Sequence, residues 1–143
     1  MSTTALQDEW LSVKIGYETY AINASYIREL IRRQAVQADN LTSDGTEGLT
    51  LHRGQALCVV NGVLRLGLDY PKDLATTQGY FIVFDLADQS YALAVTEFID
   101  VLHLDRTMIE PYEWSKNPAV SGVVRHQEHG LMIVLDPVKL LDE

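Results

Sequence analysis

Cysteine is almost missing from the chain. Cys58 is the one thiol among 143 residues, so no disulfide framework can staple the fold, which suits a reducing cytoplasm. It sits in the apolar run Ala56-Leu57-Cys58-Val59-Val60 and reads as a small buried hydrophobe rather than a nucleophile. Basic residues are also scarce. The 11 Lys and Arg face 20 Asp and Glu, a formal charge of −9. Such a chain repels a phosphate backbone and an anionic bilayer alike, which argues against nucleic acid or a membrane surface as partner. No window approaches the ~20 apolar residues of a membrane helix. The opening MSTTALQDEW has neither a basic nor an apolar signal region. Residues 1–9 are therefore expected to be a flexible lead, and the chain cytoplasmic, without direct membrane insertion.

Catalytic patterns are equally sparse. There is no nucleophile elbow around a serine and no glycine loop that cradles phosphate. The histidines are His52, His103, His126 and His129. His126 and His129 are three apart in a turn-like stretch without a clear further ligand, so no metal is expected there. The acid pairs Asp44 with Glu47, and Asp85 with Asp88, fall in turns and read as solubilising charge. The expectation is no catalytic residue, no cofactor and no enzyme.

What the chain does have is a statement made twice. From Tyr20 it reads YAINASYIREL, and from Tyr91 it reads YALAVTEFIDVL. WLSVKIG, with Leu11, Val13 and Ile15 on one face, turns into TYAINA as a hairpin; YFIVFDL turns into SYALAV in the same way. LTLHRGQALCVV forms a second hairpin with Gly54 at or near its turn, matched by AVSGVVRH and GLMIVLD. Asp136 caps a last helical turn that starts at Pro137. The offset stays near 71 to 74 residues, which is self-similarity at a fixed period. Each copy of roughly 70 residues is marginal alone. The economical solution is all-β with short helical segments: two small five-stranded barrels, halves 10–75 and 76–143, packed into one unit with a groove where they meet.

Two features resist a purely structural reading. Arg53-Gly54 places a cation among apolar strand residues, and Glu29 follows an apolar stripe. A Glu29–Arg53 pair is either internal structure or the mouth of the inter-barrel groove. Trp114, in EPYEW, is a large aromatic in a loop, suited to a lid or an interface anchor.

At these residues the chain resembles the CheW-like chemotaxis coupling proteins, from about Trp10 to Leu141. WLSVKIGYETYAINASYIREL looks like the family's opening, EGLTLHRG like its GVINLRG block, RLGL like the end of that block, EFIDVLHLDRTMIEP like its late strand and loop, and GLMIVLDPVKLL like its terminal signature. The resemblance implies two SH3-like barrels in one CheW-like domain over 1–143. It implies an adaptor that joins the cytoplasmic tip of a methyl-accepting chemoreceptor to the regulatory domain of a CheA-type histidine kinase, recruited to membrane receptor arrays. It implies a receptor groove at Ile27, Glu29, Arg53, Gly54 and Val101, and a kinase or ring interface at Glu110, Pro111 and Trp114. A twitching or pilus chemosensory pathway, an unrelated partner, or a small ligand-binding or hydrolytic barrel are the alternatives. The sequence departs from the family pattern at Cys58, Asn61, Gly62, Val63 and Glu110, positions expected near the barrel ends, where an interface would have diverged.

Overall fold

The structure, a computed structural model, describes residues 7–37, 44–77, 79–87, 89–112 and 116–141. Eleven strands and three short helices follow one another among these residues. The first half supplies β1 (Gln7–Ile15), β2 (Glu18–Asn23), β3 (Ile27–Arg32), β4 (Thr46–His52), β5 (Gln55–Asn61), α1 (Gly62–Arg65) and α2 (Lys72–Ala75). The second supplies β6 (Tyr80–Leu86), β7 (Gln89–Val95), β8 (Glu97–Asp105), β9 (Ile109–Pro111), β10 (Val120–His126), β11 (Gly130–Leu135) and α3 (Pro137–Leu141).

They form two sheets, in the orders β8-β1-β2-β11-β10-β9 and β3-β6-β7-β5-β4. The orders are equivalent once each β1–β2 hairpin is matched with β6–β7. The sheets do not coincide with halves 10–75 and 76–143, however. Each takes its leading hairpin from one half and the rest from the other: β1–β2 lie between β8 and β11, and β6–β7 between β3 and β5. The cause is local. A single 3-10 turn, Ala24–Tyr26, or the lone residue Thr96, separates a hairpin from the next strand. So short a link carries the chain across to the other sheet instead of back onto its own.

The ladders are not closed rings, yet both sheets curl until their edges come close. β8 and β9 lie at opposite edges of one sheet but are joined only by the turn Arg106–Met108. In the other sheet, residues 33–37 run from β3 to the far edge, where Gln37 and Leu49 exchange backbone bonds of 2.6 and 3.0 Å. The SH3-like pair of curled sheets is thus realised with a bent strand at each seam.

Alternation along β1 and β6 divides the core in three. Leu11, Val13 and Ile15 face the space between the sheets, where they meet Ile82, Phe84 and Leu93. Trp10 points the other way, into one curled sheet with Leu102, Leu104, Val124 and Met132. Phe81 and Val83 fill the second with Leu57 and Val59. β1 is therefore buried on both faces, and it begins at Gln7, inside the stretch 1–9 expected to be flexible. The ladder to β8 and the Asp8–Arg106 ion pair, 2.7 Å, hold that end.

Three of the departures turn out to be interior. Asn61, Gly62 and Val63 are buried, so they are not a changed surface. The Asn61 side chain accepts from the Leu64 N–H at 3.2 Å, capping α1, and donates to Glu47 Oε2 at 2.9 Å and to the Ala75 carbonyl at 3.1 Å. Glu47, also buried, takes two bonds from Arg33. Gly62 lies against β7 so closely that a Cβ would come 2.9 Å from the Ala94 carbonyl. Cys58 is half-buried rather than buried, on β5, which runs between β4 and β7, and its neighbours across the ladders are Leu49 and Tyr91.

Asn61→Asp tests the buried network. It sets a carboxylate against Glu47 and a carbonyl, so the introduced acid's pKa rises above its unfolded value. Stability should fall by about 2–3 kcal/mol at neutral pH. The deficit should shrink as pH drops and vanish below about 4, the unfolded carboxyl value, where both states are protonated. Urea melts at several pH values check this; a deficit independent of pH would refute it.

Candidate functional site

Arg53 and Gly54 are the two central residues of the β4–β5 hairpin. Both have positive φ, 53° and 77°, the signature of a type I′ turn, whose twist matches the flanking strands. Gly54 adopts this freely. For arginine, the left-handed region costs roughly 1–2 kcal/mol. The turn holds the cation out: the Arg53 side chain is 77% exposed and lies 3.5 Å from Glu29 Oε1. Glu29 sits on β3, next to a bulge in its pairing with β6. His52 Nε2 approaches the other Glu29 oxygen at 3.1 Å, without hydrogen-bond alignment. Arg28, bound to Asp85 and Gln55, completes an open pocket of about 310 Å³ lined by Arg28, Glu29, His52, Arg53 and Gln55. Of the residues around this pocket, the sequence reading names Glu29, Arg53 and Gly54 as site candidates. It missed Arg28, Asp85 and Gln55, whose convergence depends on strand register.

Ile27 and Val101 meet in a second hollow of about 190 Å³, with Trp10, Leu11 and Leu30. β8 pairs with β1 so that Val101 stands opposite Leu11, and Val101 remains 45% exposed. The acidic and apolar elements thus share β3: Glu29 serves the charged pocket, while Ile27 and Leu30 serve the apolar one. The exposed, apolar Val101 and the exposed cation Arg53 suit docking of another protein better than turnover of a small molecule.

Glu110 and Pro111 lie on the short edge strand β9, both exposed. Glu110 pairs with Arg125 of β10 at 3.4 Å, so its negative charge is answered within the chain. Trp114 falls outside the described residues. His126 Nδ1 accepts the backbone N–H groups of Glu128 and His129, which makes HQEH a self-capped turn. Among the described residues, no three metal-binding side chains cluster, and no helix is long and apolar enough to cross a membrane.

The chain's relatives fit this geometry. Residues 9–143 match the family model of the CheW-like domain. The fold superposes on the scaffolding protein TtCheW of Thermoanaerobacter tengcongensis with a TM-score of 0.79, at 19% identity, over 95% of this chain and 93% of that one. No curated protein matches it. With two curled sheets, a shared core between them, and a family match over nearly its whole length, the chain belongs to the family of CheW-like domains.

Proposed function

We propose that this chain is a non-catalytic adaptor that couples a chemoreceptor's cytoplasmic tip to the regulatory domain of a CheA-type histidine kinase, working in the cytoplasm at membrane receptor arrays. The observation that carries the reading is the Arg53-Gly54 turn. A fold that wanted only a tight hairpin would place Asn or Gly at the first position. Here a long cation stands in a costly conformation, mostly in solvent, beside the carboxylate of Glu29. That arrangement adds little to stability, because an exposed pair contributes about 0–1 kcal/mol. It supports a role in binding.

The receptor-facing surface is assigned to Ile27, Glu29, Arg53, Gly54 and Val101. A helical tip laid against it would cover the apolar hollow and engage the two charges at its rim. Glu110 and Pro111, with Trp114, are assigned to the kinase or ring contact. Glu110 and Pro111 lie on β9, which contributes no residue to the receptor-facing surface, and an adaptor needs two separate surfaces. The whole of 1–143 acts as one unit in this reading.

Purified chain immobilised on resin should retain both a receptor cytoplasmic tip and a kinase regulatory domain from the same cell. Retention of neither would overturn the adaptor reading. So would turnover of a small substrate that is lost on changing a single acid.

Arg53→Asn separates binding from folding. Asn suits the first position of a type I′ turn, so the variant should melt at or above the wild-type temperature. Receptor-tip affinity should fall about tenfold or more, as truncation of an interface arginine does. A lowered melting temperature with undiminished affinity would show instead that the Glu29–Arg53 pair is internal structure.

A further inference from the structure

The two halves can be compared position by position at the receptor-facing surface. Glu29 on β3 stands opposite Val83, and Asp100 on β8 stands opposite Ser12. Val83 and Ser12 hold the same place in the repeat, just beyond Phe81-Ile82 and Trp10-Leu11. Each acid follows a bulge, and the residue after each, Leu30 or Val101, lines the apolar hollow. Asp100 is therefore the internal counterpart of Glu29.

Their counter-charges come from equivalent hairpins. Thr46 pairs with Val60 as Val120 pairs with Leu135, and the last rungs are His52–Gln55 and His126–Gly130. At the first tip, Arg53 lies 3.5 Å from Glu29. At the second, His129 Nε2 lies 3.6 Å from Asp100 Oδ2. A permanent cation at one end is matched by a titratable one at the other, since histidine changes charge between about pH 5 and 8.

The His129 side chain is only 22% exposed, and its Nε2 is shut off from water and makes no hydrogen bond. Around it stand Asp100 of β8, the His126 ring of β10 at 5.0 Å, and Glu128 of its own turn. His126 spends Nδ1 on the N–H groups of Glu128 and His129, so a proton there would break the turn's own bonds. A proton on His129 instead gives Asp100 a charged partner. Among the described residues, no other basic side chain comes within ion-pair distance of Asp100. Its Oδ1 accepts the N–H of Val101 at 2.8 Å, so one carboxylate links the turn to the hollow.

We propose that Asp100 and His129 form the second charged end of the receptor-facing surface, and that docking takes up a proton at His129. The inference rests on the receptor-facing reading of Val101. An apolar face laid over Val101 strips water from the neighbouring Asp100. A carboxylate that leaves water is costly unless it is paired. Glu29 keeps Arg53 at every pH, whereas Asp100 is answered only while His129 is charged. Docking therefore strengthens as pH falls through the histidine range and weakens as pH rises through it. Two further imidazoles lie at this surface. His52 faces Glu29, which Arg53 already answers, and His103 faces Glu9 at 3.7 Å with both side chains largely in water.

The test is calorimetric titration of the full chain with a purified chemoreceptor cytoplasmic tip from the same cell, in buffers of unequal ionisation heat. Proton uptake is expected near neutrality, with affinity about three- to tenfold lower at pH 8 than at pH 6. His129→Gln should bind throughout about as weakly as the wild type does at the alkaline end. Asp100→Asn still offers Val101 an acceptor, and it should keep the acid-end affinity up to the alkaline end. His103→Gln should retain the wild-type slope. Docking without proton uptake would overturn the inference and leave the adaptor reading standing, as would a slope that survives His129→Gln. A tip that docks at no pH would overturn both.

Discussion

Leu11, Val13 and Ile15 on β1, and Ile82, Phe84 and Leu93 on β6 and β7, meet in one apolar layer between the sheets. Burial of this kind is worth roughly 25 cal/mol per Å², and neither sheet can obtain it alone. Because β1 and β6 alternate strictly, the same strands that build this layer also fill the two curled interiors with Trp10 and Phe81. A slip of one residue in either strand would exchange the two sets. The register of the whole molecule, and so the place of every surface residue discussed above, follows from these two strands.

The proposed function rests on what the layer leaves outside. Glu29 and Val101 belong to strands whose inner residues are fixed by the core, so their outer neighbours are held in position at no extra cost. Arg53 is held differently, by a two-residue turn in which both central residues have positive φ. The rigid parts of the site are on strands and the reaching part is on a tip, a common division of labour between scaffold and loop.

Much of this was legible in the sequence. The repeat gave the two-copy plan, the Arg-Gly dipeptide gave the second hairpin, and Asp136-Pro137 gave the last helix. The exchange of hairpins was not legible. Periodicity identifies a strand but not its neighbour, and only the single-residue link at Thr96 and the tight turn at Ala24–Tyr26 force the crossing. The buried Arg33–Glu47–Asn61 network was hidden for a related reason. Its residues are polar and sit in turn-like surroundings, and on a linear reading Asn61 looks like an altered surface. Its burial comes from contacts between Asn61 and residues fourteen positions away on either side.

The exchange also sets an order of events during synthesis. β2 pairs in parallel with β11, a partner more than a hundred residues downstream. A ribosome adding roughly 5–20 residues per second therefore exposes the β1–β2 hairpin for several seconds before its sheet can be completed. The five-stranded sheet, whose last strand is β7, can close first. The hairpin must wait unpaired at its edges, and a nascent neighbour in the same state offers it the same pairing.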